Sequence, residues 1–276
     1  MQIIRFLTRE NKIAWGTGYD GHRATLLKGD IFSAFTETGQ KISVQRLLPP
    51  IQPAAIFCIG LNYRLHAQET GMALPQHPIV FMKNPGSVTA HGEAIEIPAS
   101  CEKIPEVDYE AELGVVIKSP VKNVSEARAL DHVLGYTCAN DVSARRWQKN
   151  GGGGQWVKGK SFDTFCPFGP VLVTPEEVGD PQDLGVECIL NGTRLQNGHT
   201  SDMIFSVAQI ISYLSQSATL LPGTLSLTGT PSGVGFTRKP PVYLVPGDVM
   251  ETRIEKLGVL ENRVVSERTE VPRPLK

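Results

Sequence analysis

Glycine and proline cut this sequence into short apolar runs. With 27 Gly and 20 Pro among 276 residues, few stretches are long enough for a helix. Most of the remainder are short runs rich in branched and aromatic residues, bounded by turn residues. Such punctuation selects a β-dominated α+β fold over a doubly wound α/β one. Strands are predicted at 2–7, 12–16, 23–27, 55–59, 79–82, 109–118, 171–173, 186–190, 224–228, 242–245 and 248–254. Asn191-Gly192 makes a hairpin turn, and Pro246-Gly247-Asp248 turns between the last two strands. Helices are predicted over 63–69, over 126–133 behind a Ser125 cap, and over 203–215. In the last of these, Met203, Ile204, Val207, Ile210, Ile211 and Leu214 keep a helical period, with Ser201 or Asp202 as cap.

The proline-rich stretch Leu48-Pro49-Pro50-Ile51-Gln52-Pro53 favours an extended linker. It divides the chain into a small β-rich amino-terminal domain, 1–50, and a main domain, 51–276. Hydrophobic residues make up 41% and charged residues 20%, enough for a sizeable core. Twenty-seven basic against 28 acidic residues leave a net charge of -1 with no basic cluster, which excludes the usual nucleic-acid binder. No apolar run approaches a membrane span. The amino terminus is charged within ten residues and lacks a signal-peptide apolar core, so a cytoplasmic location is expected. The five cysteines, at 58, 101, 138, 166 and 188, are odd in number and form no CxxC pair. They fit a reducing compartment better than a disulfide frame or a zinc site.

Several residues could carry chemistry. In a strand over 109–118, Glu110 and Glu112 share a face while Ala111, Leu113, Val115 and Ile117 share the other. Two carboxylates on an apolar strand are either solvated or bound to a cation, and oxygen ligands suit Mg²⁺, Mn²⁺ or Ca²⁺. Gly114 continues that face and would leave room there. Asp141 is an N-cap for the helix-like segment that follows, or a third carboxylate for such a site. Lys160, among Gly, Ser and aromatic neighbours, either snorkels to the surface or is semi-buried and stabilises an enolate or carboxylate. His66 and Glu69, three apart on a short helix, either decorate a solvated helix end or form an acid–base dyad. The Gly151–Gly154 run lacks a phosphate-loop pattern and suits a mobile lid or a linker. The turn-rich segment 228–235 is a structural loop or a hydroxyl and backbone cradle for a substrate carboxylate.

Taken together and in order, these segments resemble the fumarylacetoacetate hydrolase family. The matching stretches are Gly60-Leu61-Asn62-Tyr63 with His66 and Glu69, Phe81-Met82-Lys83, Asp108-Tyr109-Glu110-Ala111-Glu112-Leu113-Gly114, Asn140-Asp141-Val142-Ser143-Ala144-Arg145, Gly159-Lys160-Ser161-Phe162 and Leu227-Thr228-Gly229-Thr230-Pro231. They span about 55–235. The segments 151–170 and 238–243 look most like the branch called fumarylacetoacetate hydrolase domain-containing protein 2.

The resemblance implies a fumarylacetoacetase C-terminal-like mixed β-sandwich roll and a homodimer. It implies Mg²⁺ or Mn²⁺ held by Glu110, Glu112 and Asp141, an acid–base dyad of His66 and Glu69 on a lid, and a catalytic Lys160. It also implies substrate contacts from Gln148, Thr230, Lys83 and Arg145. The chemistry implied is a metal-stabilised enolate of a small 2-oxo acid. Oxaloacetate keto–enol tautomerisation comes first. Acylpyruvate- or fumarylacetoacetate-type C–C hydrolysis, oxaloacetate decarboxylation and hydroxymuconate-type isomerisation are alternatives. A non-catalytic metal- or metabolite-binding protein is the competing class. Two departures stand out. Arg146 replaces the family's usual Asp after Ala-Arg, and Gly151–Gly154 stands where the founding hydrolase has an aromatic substrate contact.

Overall fold

The computed structural model describes residues 1–151 and 153–267. Gly152 of the predicted lid and residues 268–276 of the predicted main domain lie outside the described residues. The chain is strand-dominated, with a 12-stranded, a five-stranded and a two-stranded sheet. The long sheet runs in the order Phe35–Ser43, Arg23–Gly29, Ile13–Thr17, Gln2–Leu7, Cys166–Val173, Val133–Asn140, Ala111–Ile117, Thr224–Leu227, Ala55–Gly60, Ile79–Lys83. It is mixed: Thr224–Leu227 lies parallel to Ala55–Gly60, and its other path neighbours pair antiparallel. The five-stranded sheet orders Thr193–His199, Gly185–Leu190, Val249–Ile254, Gly258–Ser266 and Ile95–Ile97. Gln2 and Ile3 pair with Val173 and Leu172, so the first 50 residues are hydrogen-bonded into the long sheet.

Ala111–Ile117 is buried at every residue. Its Leu113, Val115 and Ile117 enter the main core, beside Tyr136 and Val186. Val116 faces the opposite layer, beside Leu225 and Leu227. A strand packed on both sides cannot slip register without burying the wrong side chains. That fixes where its carboxylates stand. Among the described residues no helix is long and apolar enough to cross a membrane.

The structure differs from expectation in several elements. The predicted helix 203–215 begins later, as Val207–Leu214, because Ser206 and Gln209 make a capping box. Ser201 and Asp202 sit instead in a 3₁₀ turn, and Met203 bridges to Tyr63. The predicted helix 126–133 is only Glu126–Ala129 and a 3₁₀ turn, and Val133 already begins a strand. Residues 242–245 form no strand. Phe35–Ser43 escaped prediction because its central residues are exposed and carry no apolar alternation. Val133–Asn140 escaped because a strand buried on both faces, with small residues, has no period to read.

Candidate active site

The pairing of Ala111–Ile117 with Val133–Asn140 builds the site. Ala111 stands opposite Asn140, which places Glu110 beside Asp141. The Asp141 N–H donates to the Glu110 carbonyl at 2.9 Å, and the Asn140 Oδ1 accepts from the Glu110 N–H at 3.0 Å. Glu110, Glu112 and Asp141 each bring a carboxylate oxygen within 4.8 Å of the others, and all three residues are buried. Asp141 is no helix cap: the helix Arg145–Asn150 starts after Ala144. Gly114 leaves no room on this face, since a Cβ there would come 2.9 Å from the Thr137 side chain.

Three cations answer these acids. Lys160, 1% exposed, donates to Glu110 Oε2 at 2.8 Å and to Asp141 Oδ2 at 2.7 Å. Burial works against its charge, but Asp141 and Glu110 outweigh burial and raise its pKa. Lys160 is therefore a buried ammonium, not a snorkelling one. Arg145 Nη1 lies 2.6 Å from Glu110 Oε1, and its Nε donates to Asp108 Oδ2 at 2.8 Å. Burial opposes ionisation of Glu110 as well, yet Lys160 and Arg145 hold its carboxyl well below the usual range. Lys83 pairs with the other oxygen of Asp141.

Glu112 has no such cation. Among the described residues its carboxylate takes one hydrogen bond, from the Gly229 N–H at 2.7 Å. Burial, then the charges of Asp141 and Glu110, push its carboxyl well above the usual range. Three converging carboxylates, of which Glu112 has no ion-pair partner of its own among the described residues, form an all-oxygen donor set. Such a set fits a hard divalent cation such as Mg²⁺ or Mn²⁺.

His66 and Glu69 lie on the helix Arg64–Thr70, His66 Nδ1 being 2.9 Å from Glu69 Oε2. The other oxygen, Oε1, accepts from the Gly233 N–H at 2.8 Å and the Thr237 hydroxyl at 2.9 Å. Burial disfavours the charge on Glu69, but the bonds from His66, Gly233 and Thr237 hold its pKa below the usual value. An ionised carboxylate only accepts, so Nδ1 carries a proton, and in the neutral ring Nε2 holds the lone pair.

The 228–235 loop holds the acids and the strand that carries them. Thr228 Oγ1 donates to the Leu113 carbonyl and Thr230 Oγ1 to the Ala111 carbonyl. Gly229 and Gly233 hold Glu112 and Glu69. The donor of the Thr230 hydroxyl is thus spent, although the residue lines the cavity.

His66, Glu110, Glu112, Arg145, Gln148, Lys160 and Thr230 line one cavity of about 140 Å³. Gln148 accepts from Arg145 at 3.0 Å. Lys83 is not among the lining residues; it stands behind Asp141. Arg146 also stays outside, and its Nη2 pairs with buried Glu106 at 2.8 Å while its backbone N–H donates to the same carboxylate. The exchanged charge at this position thereby fastens the start of the helix that carries Arg145 and Gln148.

Sequence reasoning missed Asp108, Gln196, Trp156 and Phe236. Asp108, fully buried, accepts from Arg145 and from the Gly235 and Phe236 N–H groups. Its spacing two before Glu110 was the available signal. Gln196 joins the Ala111 N–H to the Thr230 hydroxyl, and nothing in its local sequence marks it.

Residues 55–265 match the family described as fumarylacetoacetate (FAA) hydrolase, C-terminal. This chain belongs to the fumarylacetoacetate hydrolase family. Residues 1–50 match a second description, Rv2993c-like, N-terminal. The member is 47% identical to oxaloacetate tautomerase fahd2, mitochondrial, from Xenopus laevis, over 81% of this chain and 69% of the relative. It is 51% identical to 2,4-didehydro-3-deoxy-L-rhamnonate hydrolase from a Sphingomonas species, over 76% of this chain and 72% of that protein. Among solved structures, the fumarylacetoacetate hydrolase of psychrophilic Exiguobacterium antarcticum superposes with a TM-score of 0.86 at 34% identity, covering 97% of this chain and all of the other. The family members among these relatives are enzymes, and so is this one.

Proposed function

We propose that this enzyme tautomerises a small 2-oxo diacid, oxaloacetate first, between its keto and enol forms. One observation carries the proposal. A histidine whose Nδ1 is turned to Glu69 and a buried, protonated lysine line the same cavity as Glu110 and Glu112 of the acidic trio. Tautomerisation requires those parts and no leaving group. A divalent cation held by Glu110, Glu112 and Asp141 would polarise the 2-oxo group and lower the cost of enolate charge.

The chain's own groups do the rest. Two of the three Lys160 N–H donors go to Glu110 and Asp141, which leaves one for the oxygen on C2, where charge develops. In the keto-to-enol direction His66 Nε2 takes the C3 proton, Glu69 stabilises the imidazolium, and the imidazolium then gives up a proton to water while the C2 oxygen takes one from water. In reverse, water takes the enol O–H proton, and His66, protonated from water, gives its Nε2 proton to C3. Glu69 keeps the ring in the useful tautomer throughout. The name of the Xenopus relative supports oxaloacetate as the substrate. The 51% identity to a hydrolase favours a second reading, in which His66 activates a water for C–C cleavage of a 2,4-dioxo acid.

Every cavity-lining residue falls at Ile59 or later, which supports assigning catalysis to residues 51–276 and a supporting role to 1–50. The homodimer rests on the family resemblance and is open to sedimentation analysis. Five free, buried cysteines suit the cytoplasm or any other reducing compartment.

The deciding experiment follows enol-oxaloacetate decay with added Mg²⁺ or Mn²⁺ and with EDTA, identifying products by NMR for a panel of 2-oxo acids and acylpyruvates. Metal-dependent loss of enol without carbon loss supports the tautomerase. Cleaved products from acylpyruvates alone support the hydrolase. An EDTA-insensitive rate overturns metal catalysis.

A further inference from the structure

Arg145, Gln148 and Lys149 come from one helix, Arg145–Asn150, and all line the cavity. Residues three and four apart share a helix face. Of the cations on the cavity wall, Arg145 has its charge met by Asp108 and Glu110, though its Nη2 keeps no hydrogen-bond partner, and Lys160 is met by Glu110 and Asp141. Lys149 is different. Its ammonium sits 4.3 Å from the centre of the Phe236 ring and meets no carboxylate among the described residues. The Arg145 guanidinium is 4.6 Å from the centre of the same ring. Two cations, four residues apart and sharing one ring, repel each other, and only Arg145 is neutralised by acids. The cavity therefore has an acidic end at Glu110 and Glu112 and an unanswered positive charge at Lys149, with the apolar face of Phe236 along the way. Lys149 lies about 6 Å further along the helix axis than Arg145, a separation on the scale of a short carbon chain.

We propose that Lys149 is a specificity-determining residue that binds the second carboxylate of a diacid. The inference rests on the tautomerase reading only for placing the 2-oxo end at the acidic trio. A substrate with a neutral tail would leave the Lys149 charge unpaired. A diacid satisfies both ends of the cavity, and Phe236 covers the carbons between them. Lys149 is exposed, so its replacement should leave folding intact.

The test uses the full chain with Mg²⁺, as the native protein, Lys149→Gln and Lys149→Arg. The substrates are oxaloacetate and 2-oxobutyrate, two four-carbon 2-oxo acids that differ by a carboxylate against a methyl at C4. Deuterium exchange at C3 is followed by NMR. The expected result is a preference for oxaloacetate, in kcat/KM, that falls roughly 1.5- to fivefold in Lys149→Gln, as for the loss of a partly exposed ion pair. The loss should appear in KM, recover in Lys149→Arg, and shrink at high salt. An unchanged ratio of the two acids in Lys149→Gln overturns the proposal. If the native protein exchanges neither acid, the tautomerase reading fails, and calorimetric titration with the same two acids still decides the role of Lys149. A Kd advantage for oxaloacetate that Lys149→Gln removes supports it; an equal Kd for both acids overturns it.

Discussion

Lys83 and Asp141 form an ion pair with no side-chain exposure on either side, at 2.5 Å. Lys83 also donates to the Val142 carbonyl at 3.1 Å, so one buried ammonium fixes both the carboxylate and the backbone after it. Removing one partner of a buried pair strands the other charge, at a cost of about 3–5 kcal/mol. Lys160 still pairs with Asp141, so Lys83→Met should fall toward the lower end of that range. Thermal melts would register the loss. Added Mn²⁺ should raise the Tm of the variant more than that of the native protein, because less positive charge then opposes binding at Asp141.

Glu112 should respond with opposite signs with and without metal. In EDTA its buried carboxylate faces Asp141 and Glu110 with no cation of its own, so ionising it opposes folding. A carboxyl held above its usual pKa destabilises the fold once pH rises past its unfolded value. Near neutral pH, Glu112→Gln should therefore raise the Tm of the EDTA-treated protein by a few degrees. It should also abolish the Tm increase that Mg²⁺ or Mn²⁺ gives the native protein. A melt series with and without metal checks both signs.

Glu69→Gln should reverse the histidine. The Gly233 N–H and Thr237 hydroxyl both donate to Oε1, so the carbonyl oxygen of a glutamine would stay there and its NH₂ would face His66. Nδ1 would then accept, Nε2 would carry the proton, and the base would be lost. A fall in kcat of about 10²–10⁴ is expected, with little change in fold. Acid unfolding gives a second measurement. Glu69 is held below its usual pKa, so the stability it contributes is present above the ordinary carboxylate value of about 4.3 and is lost as pH falls through the lower folded value. That component should vanish from the acid-unfolding curve of Glu69→Gln.

The acidic pair was legible in the sequence because strand alternation is local. Glu110 and Glu112 must share a face once 111–117 is extended, and the apolar residues on the other face fill the core as the pattern demands. The His66–Glu69 pair was legible for the same reason at helical spacing. Asp141, Lys160 and Arg145 were not separable from an N-cap or from surface charges by spacing alone. Their placement depends on the pairing of Ala111 with Asn140, a long-range register, and only the family resemblance chose between those readings. Gln196 and Phe236 are supplied by the five-stranded sheet and a distant loop, so no local pattern could announce them. The glycine-rich 228–235 loop was ambiguous because backbone donors suited to a ligand are equally suited to a buried carboxylate. Here Glu112 and Glu69 take them.

Gly60 and Trp156 give the last prediction. A Cβ on Gly60 would lie 2.5 Å from Trp156 Cζ3 and 3.0 Å from Cη2, closer than carbon atoms tolerate. The glycine is required by the approach of the indole, since its backbone is an ordinary strand end. Trp156 in turn packs edge-on to Phe81, with ring centres 5.3 Å apart, and Lys160 Nζ lies 5.0 Å from the centre of the Phe81 ring. Trp156 immediately precedes the one-turn helix Val157–Lys160, so a displaced indole pulls on the segment that aims the lysine. Gly60→Ala should therefore lower kcat, through a misplaced Lys160, by more than its effect on Tm would suggest. In a Trp156→Phe background the smaller ring leaves space for the new methyl, and Gly60→Ala should then cost less than it does alone. That coupling, measured as a double-mutant cycle in kcat/KM, distinguishes a steric contact between these two residues from independent damage, for which the two losses would simply add.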